Sequence, residues 1–101
     1  MKRLFVSQPM RGKTDEEILK ARHLAEHEAA LHLGESVEVI DSFIGTSDAS
    51  RALEYLGESI KLLATADAII FAEGWEDARG CRIEHACAVE YGIPIIGESD
   101  M

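Results

Sequence analysis

Five consecutive residues, Ala68-Ile69-Ile70-Phe71-Ala72, carry no polar side chain. A run that short and that apolar is the pattern of a central parallel strand covered on both faces. Such a strand demands helices on two sides, which steers a chain of 101 residues towards one small α/β domain. The rest of the sequence fits. Arg3-Leu4-Phe5-Val6-Ser7 reads as a buried strand and Val37-Glu38-Val39-Ile40 as a second. Ile93-Pro94-Ile95-Ile96 reads as the last, with Pro94 marking an edge position or a strand start. Thr14 opens a helix. Glu17 three residues on completes a capping box, and Asp15 and Glu16 suit the positive end of the dipole. This helix runs to about Leu33, with Gly34 as the natural stop. Ile18, Ala21, Ala25 and Ala29 share one face, small enough for close approach to a sheet. A second helix covers Arg51 to Ala64, with Leu53, Leu56, Ile60 and Leu63 at helical spacing; Gly57 weakens it by about 1 kcal/mol relative to Ala. A third covers Gly80 to Tyr91 and is closed by Gly92. The loop from Asp41 to Ser50 is rich in Ser, Gly and Asp. The order β-α-β-α-β-α-β predicts a parallel sheet with right-handed crossovers. No repeat, low-complexity tract or linker interrupts it, so residues 1–101 read as a single domain.

Composition narrows the partners. Apolar residues make up 47% and charged residues 29%, which is globular rather than disordered. No stretch approaches the ~18 apolar residues of a membrane span, and MKRLFVSQPM has too short an apolar run for a secretory signal. Ten Lys and Arg against nineteen Asp and Glu leave a net charge of −9. That field repels a phosphate backbone, so nucleic acid as a polymer is disfavoured; any anionic ligand needs a local positive feature. Cys81 and Cys87 lie in one predicted helix and point to different faces, which argues against a mutual disulfide and for packing roles in a reduced, cytoplasmic protein.

In an open α/β sheet, ligands bind outside the carboxyl ends of the strands. Two loops leave such ends. Ser7-Gln8-Pro9-Met10-Arg11-Gly12-Lys13-Thr14 precedes a helix N-terminus, where free N–H groups attract anions. Arg11 adds a bidentate donor, and Gly12 permits close backbone approach. The spacing is neither a Walker loop nor G-x-G-x-x-G. The alternative is a plain βα turn with an exposed arginine. Glu73-Gly74-Trp75-Glu76-Asp77-Ala78-Arg79-Gly80 carries the only tryptophan, placed to stack on a base or sugar or simply to plug the sheet end. Glu84 follows Gly80 by about one turn and aims its carboxylate towards the sheet mouth. The dipole and Arg82 are expected to keep it ionised, as a nucleophile requires; the alternative is an ordinary glutamate stabilising the helix dipole.

Other suggestive spacings carry less. His23-Leu24-Ala25-Glu26-His27 spells an inverted zinc-protease motif. With Ile18 as the core direction, however, the two histidines point roughly 140° and 180° away, into solvent. No metal site is expected. His32 falls near the core direction and reads as a partly buried helix-end residue. His85 adjoins Glu84, but neighbours on a helix diverge.

Ser7-Gln8-Pro9-Met10-Arg11-Gly12, Ala66-Asp67-Ala68-Ile69-Ile70-Phe71, and Gly74-Trp75-Glu76-Asp77-Ala78-Arg79-Gly80 with Glu84, Ala88 and Gly92-Ile93-Pro94 together resemble the nucleoside 2-deoxyribosyltransferase superfamily. The likeness is greatest to its small bacterial and phage members, with deoxynucleoside 5′-monophosphate N-glycosidases as relatives. The fold this implies is a flavodoxin-like or Rossmann-like three-layer sandwich on a mostly parallel sheet of four or five strands. Glu84 matches the family's nucleophile, which attacks C1′ of a deoxyribose and displaces the base; water or a second base then resolves the intermediate, as in a retaining glycosidase. The resemblance places Ser7, Pro9, Met10, Arg11 and Gly12 around the substrate, with Trp75, Asp77 and Gly80 bordering sugar and base. No metal or organic cofactor is implied. The departures are specific. Gln8 stands where the family commonly has glycine. Phe5 stands where the glycosidase has a strand tyrosine, and Ala78 where it has a phosphate-binding serine. The acid that handles the leaving base in the family falls in helix two, where Glu58 and Ser59 stand nearest and neither matches it.

The reading is therefore an N-glycosidase or transferase acting on a small nucleoside or nucleotide, in a homodimer or larger assembly formed through helices two and three. The alternatives are a non-catalytic nucleotide-binding or regulatory module of the same fold, or a phage or host interaction protein that uses only the fold.

Overall fold

The computed structural model describes residues 1–41 and 51–97. They form a mixed α/β domain with a three-stranded parallel sheet and three α-helices: β1 (Lys2–Ser7), α1 (Asp15–Leu33), β2 (Val37–Val39), α2 (Ala52–Leu63), β3 (Ala68–Phe71) and α3 (Arg79–Tyr91), with a 3-10 turn at Trp75–Asp77. The strand order is β2-β1-β3. Lys2, Arg3 and Leu4 pair with Val37, Glu38 and Val39, and Leu4 to Ser7 pair with Ala68 to Phe71. Most of the loop expected from Asp41 to Ser50 lies outside the described residues.

The sheet is smaller than the four or five strands expected. Ile93 to Ile96 forms no strand and touches the sheet through one parallel bridge, Ile69 to Ile95. Ile69 N donates to Pro94 O and Ile96 N donates to Ile69 O, both at 2.9 Å. The ladder stops there because Pro94 has no N–H to offer and Gly97 turns the chain at φ 78°. The bridge still flanks β3, so the apolar run is covered on both edges.

Two apolar clusters lie on opposite faces of the sheet. Leu4, Val6, Ala68 and Ile70 pack with Ala25 and Ala29 of α1. Phe5 and Ile69 pack with Leu63 of α2 and Ala88 of α3. Alternation along β1 and β3 sends successive side chains to the two clusters. The caps of α1 form as expected: Glu17 N donates to Thr14 Oγ1 at 3.1 Å, Thr14 N donates to Glu17 Oε1 at 2.9 Å, and Gly34 adopts the left-handed conformation.

The buried stripe of α1 is Ile18, Arg22, Ala25 and Ala29. Leu33, not His32, continues it against the core, so His32 is exposed and the expectation of partial burial fails. Arg22 takes the place assigned to Ala21. Its Nε donates to Gln8 Oε1 at 3.3 Å, Gln8 Nε2 donates to Ile18 O at 2.9 Å, and Nη1 lies 3.8 Å from Asp41 Oδ1. Burial pushes the Arg22 guanidinium below its ordinary value, against the pull of Asp41. His23 and His27 are exposed, and the described residues contain no metal-binding cluster. No helix among them is long and apolar enough to cross a membrane.

Candidate functional site

β1 and β3 end at the same edge of the sheet, and the loops that leave them face α2 and the start of α3. Between these elements lies a cavity of about 770 Å³. Pro9, Met10 and Arg11 supply one wall, Tyr55, Leu56 and Ser59 of α2 another, and Asp77 to Arg82 with Glu84 a third.

Glu84 is the fixed point of this cavity. It is only 6% exposed. Ser7 Oγ, at the carboxyl end of β1, donates to Glu84 Oε1 at 2.6 Å, and Ser59 Oγ of α2 donates to Oε2 at 2.7 Å. Both carboxylate oxygens are thus held by neutral donors. Burial pushes the carboxyl above its ordinary value, and the two hydroxyls pull against that rise. The expectation of an acid kept ionised by Arg82 and the dipole is corrected here. Arg82 lines the same cavity but donates from Nη1 to Glu76 O at 3.0 Å, and no hydrogen bond joins it to Glu84. Glu84 sits in the second turn of α3, beyond the reach of most of the dipole. Cys81 also lines the cavity; its thiol is pushed up mainly by burial, pulled back by a hydrogen bond with Ser7, and raised further by Glu84.

The other expected residues divide. Pro9, Met10, Arg11, Asp77 and Gly80 line the cavity with Glu84. Ser7 is 1% exposed and acts through Glu84 rather than at the surface. Gly12 is exposed at φ 79°, where it serves the turn and not the cavity wall. Trp75 faces elsewhere. Its ring stacks on His85 at 4.6 Å and 15°, and packs on Phe71 at 4.8 Å. It therefore fastens the β3–α3 loop to α3 through the rings of His85 and Phe71.

Electrostatics separate the two helix starts near the sheet edge. The first turn of α1 is capped by Thr14 and carries Asp15, Glu16 and Glu17, so its positive end is already answered. α3 starts at Ala78 with no side-chain cap and no acid in its first turn. Arg11, Arg79 and Arg82 all line the cavity beside it. In a chain of net charge −9, this is a local concentration of positive charge.

A family described as a domain of unknown function, DUF4406, matches residues 2–97. The chain belongs to the DUF4406 family. No curated protein and no solved structure matches it at a significant level. The family match spans every element that builds the cavity, so the site of this DUF4406 chain is part of the family domain.

Sequence reading alone missed Ser59 as a partner of Glu84, and missed Tyr55 and Leu56 as wall residues. The available signal was spacing: Ala52, Tyr55, Leu56 and Ser59 follow i, i+3, i+4, i+7, one face of α2. Glu58, one residue from Ser59, points outward and meets Lys61 Nζ at 3.4 Å.

Proposed function

We propose that this DUF4406 domain cleaves the N-glycosidic bond of a small nucleoside or nucleotide in the manner of a nucleoside 2-deoxyribosyltransferase, on a flavodoxin-like fold reduced at one edge. One observation carries the reading: Glu84 is buried, forked between two hydroxyl donors, and set in the wall of a ligand-sized cavity. A carboxylate so placed is oriented for covalent attack. One Glu84 oxygen forms a bond to C1′ while the C1′–N bond breaks; the base leaves with that electron pair and takes up a proton. Water or an acceptor base then attacks C1′ and returns the carboxylate. Among the described residues Asp77 is the other carboxyl group on the cavity wall; in this reading it passes a proton to the leaving base and takes one back from the attacking water or acceptor base. Arg11, Arg79 and Arg82 favour an anionic substituent such as a 5′-phosphate. The same reading includes a homodimer through the outer faces of α2 and α3.

A non-catalytic nucleotide-binding module is favoured by one feature: α2 presents the Ser59 hydroxyl, not an acid, to Glu84. A base-release screen over deoxyribonucleosides and their 5′-monophosphates decides between the two. Turnover that falls at least about 10³-fold in Glu84→Ala supports the enzyme. Binding and a raised melting temperature without base release support the module.

A further inference from the structure

We propose that Ser59 is the positioning residue of this site: from α2 its hydroxyl fixes Glu84 Oε2 at the cavity wall and so selects the oxygen presented to a bound sugar. The inference rests on the reading of Glu84 as the reacting group and gives Ser59, which the resemblance sets only near the position of the leaving-base acid, the role of holding Glu84.

The geometry distinguishes the two serines. Ser7 is 1% exposed, bonds Oε1 from the sheet, and has no surface in the cavity. Ser59 is partly buried and lines the cavity, and its partner is Oε2. Oε1 is therefore the anchored oxygen and Oε2 the one at the ligand side. A carboxylate held at one oxygen alone still rotates about its last side-chain bond. The second hydroxyl stops that rotation, and an oriented group reacts far faster than a freely turning one. Ser59 also ties α2 to α3 at the one point where orientation matters.

Charge gives the second half of the argument. The ionisable groups that line the cavity with Glu84 are Arg11 from the β1–α1 loop, Tyr55 from α2, Asp77 from the 3-10 turn, and Arg79, Cys81 and Arg82 from α3. The hydrogen bonds found on Glu84 come from Ser7 and Ser59, and neither donor is a cation. Hydrogen bonds to a buried carboxylate favour its charged form. Ser59 therefore holds both the direction and the ionisation of Glu84.

The test reads Glu84 directly and needs no turnover. Protein labelled with ¹³C at glutamate Cδ is titrated by NMR, with Glu84→Gln used to assign the signal. Ser59→Ala is expected to move the Glu84 midpoint upward by about one to two pH units, the equivalent of one charge-assisted hydrogen bond. Ser59→Thr, which keeps the hydroxyl, is expected to stay with wild type and serves if the alanine variant does not fold. An unchanged midpoint in Ser59→Ala, or a Ser59→Thr midpoint displaced as far as the alanine one, overturns the proposal. Where base release is found, Ser59→Ala should also lower kcat with little change in KM and move the acid limb of the pH profile by the same amount. A base-release screen that fails while the midpoint shifts removes the glycosidase reading, and the bound sugar with it, and leaves Ser59 as the hydroxyl that orients and ionises Glu84.

Discussion

Ser7 at the end of β1 and Glu84 in α3 are joined by a 2.6 Å hydrogen bond across 77 residues of sequence. The bond exists only when the central strand, both crossovers and α3 are in place, so the geometry of the acid reports the completion of the fold. It also sets a conflict. The fold places an ionisable carboxyl at 6% exposure with no cation hydrogen-bonded to it among the described residues, and a site built this way costs stability that a neutral side chain would not.

That conflict predicts a pH-dependent gain. Burial raises the folded-state value of Glu84 above the ordinary 4.5, so between the unfolded and folded values the native state binds more protons than the unfolded state. Stability then falls as pH rises through that window, and the penalty is complete above it. Glu84→Gln removes the penalty. Its melting temperature should exceed wild type at pH 7.5, and the difference should shrink as pH drops towards 4.5. Calorimetric scans across that range check it; a Gln variant that melts below wild type at neutral pH contradicts the argument.

Much of the framework was legible beforehand. The Thr14–Glu17 capping box and the Gly34 stop are local features whose partners lie three or four residues away, and both form as read. The sheet edge was not legible. Ile93 to Ile96 has the composition of a strand, yet the missing N–H of Pro94 and the turn at Gly97 leave room for a single bridge. Burial of Arg22 escaped notice because periodicity alone sets an arginine outside. Its buried place depends on Gln8, from the loop after β1, which accepts from its Nε. At the site, the loops and Glu84 were found from strand ends and spacing. The bond from Ser59 to Glu84 and the stacking of Trp75 on His85 were not, because both depend on how α2 and the 3-10 turn pack in three dimensions.

The homodimer is checked by mass. Leu53 is 79% exposed on α2, and Val89 and Tyr91 are 55% and 84% exposed on α3. Apolar side chains left open on neighbouring helices are candidates for a subunit contact, and a domain this small gains stability from one. Light scattering at micromolar concentration should give twice the 11.1 kDa chain mass or more, and Leu53→Glu should shift it towards the monomer. A monomeric wild type at that concentration removes the proposal.

The arginines give the last prediction. Arg11 and Arg79 are exposed residues that line the cavity, whereas Arg82 is already engaged at Glu76 O. A 5′-monophosphate should therefore bind more tightly than its free nucleoside. Removing one guanidinium that contacts the phosphate removes a charge-assisted hydrogen bond, which weakens binding by about 10- to 100-fold. Arg11→Ala and Arg79→Ala should show that loss by calorimetric titration, and Arg82→Ala a smaller one. Added salt should erode the phosphate's advantage, because exposed charges are screened. Equal affinity for nucleoside and monophosphate at low salt would show that the arginines serve the surface and not the ligand.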